Sequence, residues 1–497
     1  MQSADTEGTD CPSSPDRRAL LLATIATLAL PGRRATAFER TAPNIVFILA
    51  DDLGYADVGC YGRPDIRTPH IDRLATQGTR LTQAYANSAV CTATRTALIT
   101  GRYQYRLRIG LEEPLGPYPE IALPPETPTL PALLRRAGYA TALVGKWHLG
   151  EAPQAGPLQR GYDHFYGFRG GALDYFSHKG RVSPGPGQDP AGGAQVRLDL
   201  WDDTTPVEQA GYLTEMLGRR AVAAIDGWAV ARRPFFLSLH FNAPHWPWEG
   251  PGDQAESDRL SGKSMSDFDG GTQQTYRMMV ETLDAQIGRV LAALEQHDLS
   301  RNTIVIFTSD NGGERYADTW PFTGRKTELL EGGLRIPALI RWPGRVPAGV
   351  INEQVMISMD WMPTLLHAAG AATDPDYPPD GIDLLPELTG AAPELPRTLY
   401  WRYKANAQRA VRDGDYKYLK IGPNTFLFDV VRDPMERANL KDRQRELYDR
   451  LVAQWHAWNR TMLPEIAESR TDNFTGAQLA DHVNTPHTSD QPDPGDD

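Results

Sequence analysis

Asn44-Ile45-Val46-Phe47-Ile48-Leu49-Ala50-Asp51-Asp52 is an apolar run closed by two carboxylates. It shows no polar–apolar alternation, so it reads as a strand covered on both faces, as in a parallel or mixed sheet flanked by helices. Three more runs repeat the pattern. Ala140 to Val144 leads into Gly145-Lys146-Trp147-His148, Phe235 to Phe241 into Asn242-Ala243-Pro244-His245, and Thr303 to Ser309 into Asp310-Asn311-Gly312-Gly313. Helical periodicity lies between them, at Pro131 to Ala137, Tyr212 to Val230 and Tyr276 to Leu294. The chain is therefore expected to be α/β, with a large mixed, mostly parallel sheet flanked by helices.

In such sheets ligands bind beyond the carboxyl ends of the strands, so four polar strand ends are expected to converge on one crevice. A single Asp-Asp or Asp-Asn pair is more often a turn or a helix cap. Two such pairs at strand ends favour a site. Asp51, Asp52, Asp310 and Asn311 offer only hard oxygen donors, and no Cys or His cluster has zinc spacing. The matching ion is Ca²⁺, with Mg²⁺ as the alternative. Clustered carboxylates repel one another, and a dication resolves that conflict while polarising a bound oxyanion.

A second signal is Cys91-Thr92-Ala93-Thr94-Arg95-Thr96-Ala97-Leu98-Ile99-Thr100-Gly101. If this run opens a helix, Cys91 and Arg95 share a face, with free backbone N–H groups pointing the same way. That is an anion site with a reactive side chain at its centre. Arg95, Lys146 and Lys326, with His148 and His245, make a cationic set suited to a tetrahedral oxyanion. Lys326 precedes Glu331-Gly332-Gly333, which reads as a tight turn leading to a strand at Ala338 to Arg341. His240, inside the third run, reads as a core residue.

The Cys91 run resembles the type I sulfatase signature, Cys-x-Pro-x-Arg with a small-small-Leu-x-Thr-Gly tail, although Ala93 stands where proline is usual. The family's Asp-Asp, Gly-Lys-Trp-His-Leu-Gly, Ala-Pro-His and Asp-Asn-Gly-Gly segments, and a lysine five residues before Glu-Gly-Gly, all occur here in order. The resemblance covers roughly Pro43 to Pro337 and continues more loosely to about Leu463. Asp174-Tyr175-Phe176-Ser177-His178 looks like the arylsulfatase and N-acetylgalactosamine-sulfatase side of the family, within the alkaline phosphatase superfamily. The resemblance implies an alkaline phosphatase-like sheet and formylglycine derived from Cys91 by a maturation enzyme. It also implies a metal held by Asp51, Asp52, Cys91, Asp310 and Asn311. Asp310, Arg95, Lys146, His148, His245 and Lys326 would be catalytic, and Lys146, His245 and Lys326 would bind substrate. His178 is expected either at the substrate end of the pocket or on a surface loop.

That reading makes the chain a sulfuric ester hydrolase acting on aryl or carbohydrate sulfates, including sulfated small molecules and glycans. Two alternatives remain: a phosphonate or phosphate monoester hydrolase of the same superfamily, and a non-catalytic sulfoglycan binder if Cys91 stays unconverted.

The 497 residues suit one large domain and a smaller one. Residues 1–37 read as an export signal: Arg17-Arg18 precede an apolar run from Ala19 to Leu30, and Ala35-Thr36-Ala37 has the form of a cleavage site. The paired arginines resemble a twin-arginine signal, with an ordinary secretory signal as the alternative, so a bacterial periplasmic or extracellular protein is expected. Residues 38–384 are assigned to the catalytic domain. Residues 385–465 read as a small antiparallel sheet with a C-terminal helix, and 466–497 as a polar tail, flexible or draped over the surface. Of three cysteines, Cys11 falls in the signal, leaving Cys60 and Cys91, whose pairing is the structural alternative to modification. A net charge of −12 argues against nucleic acid or an anionic membrane as partner. No apolar stretch reaches the roughly 18 residues of a membrane span.

Overall fold

A computed structural model describes residues 42–182, 195–260 and 270–472. The expected export signal and the tail beyond residue 472 lie outside the described residues, and among the described helices none is long and apolar enough to cross a membrane. The four apolar runs are side-by-side neighbours in the middle of a ten-stranded sheet. Their order is Thr303–Ser309, Asn44–Ala50, Phe235–His240, Ala140–Lys146, all parallel. His164–Phe168 extends the parallel set, and Ala338–Arg341 on the other side is antiparallel. The remaining edge strands are only two or three residues long.

Register makes the strands end level. Leu49 pairs with both His240 and Thr308, and His240 pairs with Gly145. The next residues along each chain therefore emerge at one edge.

The lack of alternation has a direct cause in the packing. Ile45, Phe47 and Leu49 enter a core with Leu98 and Ile99, Leu130 to Leu134, and Trp361 to Leu366. Val46, Ile48 and Ala50 enter a second core with the helices Leu213–Ala231 and Gln273–Gln296. Both faces are buried, so both parities of the strand must be apolar.

The C-terminal region forms a four-stranded antiparallel sheet, Thr398–Tyr403, Gln408–Asp413, Tyr416–Ile421 and Asn424–Asp429, followed by the helix Arg445–Asn459. Leu399, Trp401, Tyr403 and Leu419 share a core with Val90, Ala93 and Ala97. The helix Cys91–Thr100 is thus packed between the two sheets, and all ten of its residues are buried. A buried ion cluster joins the same regions: Lys417 Nζ lies 2.9 Å from Glu331 Oε1 and 3.0 Å from Glu436 Oε1. The expected turn at Glu331-Gly332-Gly333 is a one-turn helix, Glu331–Leu334, with Ala338–Arg341 following as a strand.

Candidate active site

Asp51 and Asp52 follow the first central strand, and backbone hydrogen bonds tie them to its neighbours. Asp51 N donates to Ala243 O at 3.3 Å, and Asp310 N to Ala50 O at 3.2 Å. Asp52 N donates to Asp310 Oδ1 at 3.2 Å, closing the two acidic strand ends on each other. Asp52 and His148 adopt left-handed φ of 61° and 54°, a conformation that costs a non-glycine residue about 1–3 kcal/mol and gathers at functional sites. Gly145, with φ 116°, precedes Lys146 where a Cβ would come within 1.8 Å of His240 O. Only glycine lets the strand turn its next side chain into the crevice there.

Cys91 is the first residue of its helix, and Arg95 lies one turn on along the same face. Cys91 Sγ is 3.4 Å from Asp51 Oδ1. Arg95 reaches Asp310 Oδ2 through Nε at 2.9 Å and Nη2 at 2.8 Å, and sits 3.5 Å from His240 Nδ1. Lys146 Nζ is 2.5 Å from Asp51 Oδ2, and Lys326 Nζ 2.6 Å from Asp52 Oδ2. Lys326 Nζ also lies 3.4 Å from His245 Nε2. Cys91, His148, His245 and Lys326 line one cavity, with Arg470 and Asp472 on its wall.

Electrostatics sort these groups. Burial pushes the Cys91 thiol well above its usual range, and Asp51 adds to the shift, so an unmodified cysteine here is a neutral thiol and a poor nucleophile. Burial raises Asp52 too, but Lys326, His245 and Lys146 outweigh it and hold the carboxyl at about 2. Asp310 is pushed up to about 6 by burial and by Asp51, against the pull of Arg95. Burial, then Lys326, hold His245 well below the ordinary histidine range; burial and Lys146 do the same to His148.

The residues fit a hard cation. Asn311 Nδ2 donates to Asp52 Oδ1 at 2.7 Å and to Gly312 O at 2.8 Å, which leaves the buried Asn311 Oδ1 without a partner. An orphaned amide oxygen on a side chain that touches Asp52 is a donor that a hard cation would satisfy. Single ligand atoms of Asp51, Asp52, Cys91 and His245 lie within 4.8 Å of one another; His245, not expected as a ligand, falls in this group, whereas Asp310, expected as one, lies outside it with its two oxygens on Asp52 N and Arg95.

The family model described as sulfatase matches residues 43–371, and that of the N-sulphoglucosamine sulphohydrolase C-terminal region matches 324–459. The chain belongs to the sulfatase family. It is 34% identical to arylsulfatase A of Homo sapiens, covering 84% of this chain and 80% of that one. Against steryl-sulfatase of Mus musculus the identity is 32%, over 90% and 87% of the two chains. The crystal structure of Ps i-CgsB in complex with k-i-k-neocarrahexaose superposes with a TM-score of 0.76 at 30% identity, covering 88% and 97%. A phosphonate monoester hydrolase of Agrobacterium radiobacter, 20% identical with a TM-score of 0.59, shares the fold alone. This sulfatase is thus a sulfuric ester hydrolase of the alkaline phosphatase superfamily, and the comparisons do not favour the alternatives.

All the expected site residues of the sulfatase but one meet in this crevice. The exception is His178, whose ring is buried, 3.1 Å from Gly211 O, and is not on the cavity wall. It is not a surface-loop histidine either. Cys60 and Cys91 are both free thiols. His240 is buried as expected of a core residue, yet it touches Arg95 and Lys146 O at 3.3 Å, so it supports the cationic side of the site. Its place inside an apolar run hid that role. Arg470 and Asp472 fall in the stretch read as tail, where composition carries no signal of a site.

Proposed function

We propose that this sulfatase cleaves the sulfate monoester of an aryl alcohol or a sugar, with residue 91 matured to formylglycine and Ca²⁺, or alternatively Mg²⁺, held by Asp51, Asp52, Asp310, Asn311 and residue 91. One observation carries the reading: the Cys91 side chain lines the cavity at a helix N-terminus beside Asp51, where its own thiol is neutral. Hydrated formylglycine supplies two hydroxyls on one carbon, one to attack sulfur and one to release sulfate, which a serine ester lacks. The dication supplies Lewis-acid polarisation of the sulfate oxygens.

The chain's own residues divide the remaining work. Asp310, steadied by two Arg95 contacts, accepts the proton of the attacking hydroxyl. Arg95 and Lys146 stabilise the nucleophile and the sulfate oxygens, and His148 assists release of sulfate. His245 Nδ1 lies 2.6 Å from Trp246 O and so carries its hydrogen there, leaving Nε2 toward Lys326. In the free protein that imidazole is neutral, while Asp52 outweighs burial and keeps Lys326 charged; His245 takes up a proton from solvent as the anionic ester binds and delivers it from Nε2 to the leaving oxygen, which Lys326 steadies.

Relatives such as N-acetylgalactosamine-6-sulfatase of Canis lupus familiaris, and the neocarrahexaose complex, support a sulfated glycan as substrate. The same reading includes a formylglycine-generating partner, an export signal over 1–37, a catalytic domain over 38–384 and a smaller domain over 385–465. Mass spectrometry of the peptide containing Cys91 tests it: formylglycine is lighter than cysteine by about 18 Da. Thiol throughout, in protein made beside a maturation enzyme, would instead support a sulfoglycan binder.

A further inference from the structure

After the C-terminal helix the chain turns back toward the catalytic cavity. Leu463 N bonds Tyr105 O at 3.0 Å, and Lys404 Nζ gathers Ile466 O, Ala467 O and Ser469 O at 2.5–2.9 Å. Glu113 N donates to Arg470 O at 3.0 Å, Asp472 N donates to Glu113 O at 2.7 Å, and Arg470 N donates to Glu112 Oε2 at 3.0 Å. Backbone bonds on both sides thus fix residues 470–472, whatever their side chains do.

Those side chains line the same cavity as Cys91. Arg470 Nε and Nη2 pair with Asp472 Oδ1 and Oδ2 at 3.0 and 3.2 Å, with side chains 25% and 14% exposed. The guanidinium lies over Gly116, where a Cβ would sit 3.2 Å from Arg470 Nη1.

We propose that Arg470 and Asp472 form the subsite for the alcohol half of the ester, and that it takes the hydroxyls of an uncharged sugar. The proposal rests on the sulfatase reading above and names its substrate class. The pair presents donors and acceptors side by side, which matches vicinal hydroxyls, each both donor and acceptor. Its charge is internally cancelled. A second sulfate or a uronate on the leaving group would find no net counter-charge in this pair, so a monosulfated neutral sugar fits best.

The test uses formylglycine-verified protein, a panel of monosulfated hexoses and N-acetylhexosamines, disulfated counterparts, and 4-nitrophenyl sulfate. R470M and D472N are expected to lower kcat/KM for the best sugar sulfate by about ten- to a hundredfold, mainly through KM, the range expected for lost polar contacts to substrate hydroxyls. Loss on 4-nitrophenyl sulfate should be at least about tenfold smaller. A second sulfate should slow the wild type, and D472N should narrow that gap. Equal losses on sugar and aryl sulfates, turnover of aryl sulfate alone, or faster turnover of disulfated sugars would each overturn the subsite while leaving the sulfatase reading intact. Inactivity of the verified wild type on every substrate would overturn both.

Discussion

At residue 91 burial and the neighbouring Asp51 hold a cysteine as a neutral thiol, a poor nucleophile. Cys91→Ala should abolish turnover and leave the melting temperature near that of the wild type, because the side chain lies on a cavity wall; loss of the fold would make Cys91 structural. For His245→Ala, a series of sulfate esters with graded leaving groups is the informative assay. Losing the last group before the leaving oxygen should lower kcat on sugar sulfates by about ten- to a thousandfold more than on nitrophenyl sulfate, whose anion departs unaided. Equal losses across the series would assign His245 to sulfate binding and leave Lys326 as the acid. The proposed catalytic side chains were legible because Asp51, Lys146, His245 and Asp310 close apolar runs and Cys91, Arg95 and Lys326 fall in recognisable motifs. His178 misled because a histidine in a loop can be buried by a carbonyl partner, here Gly211, that no local pattern announces.

At the scale of elements, level strand ends bring side chains from positions 51, 146 and 310 into one crevice. The four central strands were readable because burial on both faces removes alternation, and the two long helices because their apolar faces repeat. The two- and three-residue edge strands were not, since pairing rather than pattern makes them strands. The C-terminal sheet was legible as an element, but its role as the second wall of the Cys91 helix was not. Lys417 tests that wall. Lys417→Met should destabilise the protein by about 3–5 kcal/mol in denaturant unfolding, because it leaves Glu331 and Glu436 buried together without their cation. A change below about 1 kcal/mol would mean water or Arg335 replaces the lysine.

For the molecule as a whole, the acidic crevice couples metal, proton and stability. Asp310 titrates at about 6 in the metal-free fold, above its ordinary 3.8, so the fold holds this proton more tightly than the unfolded chain does. Its contribution to metal-free stability is therefore full below the unfolded value and is lost as pH rises through about 6. The proposed Ca²⁺ would have the opposite preference, since it would bind the carboxylate. Its affinity should fall about tenfold per pH unit below that value and level off above it, with about one proton released per ion at acid pH in calorimetry. Flat affinity from pH 5 to 8 would remove Asp310 from the ligand set. Asp310→Ala should lose metal and turnover together, and a full equivalent of metal retained by that variant would do the same.

The packing of the Cys91–Thr100 helix between two sheets also sets a deadline. If residue 91 is matured as proposed, the modifying enzyme has to reach a segment of which every residue is enclosed in the folded chain. Conversion then belongs to the interval between synthesis and folding, and folding ends it irrevocably. A preparation's specific activity becomes a record of how quickly each molecule closed relative to how quickly it was modified. Two batches of identical sequence and identical melting temperature can differ in activity by the ratio of those two rates, and no later incubation with the enzyme will bring them level unless the chain is unfolded first.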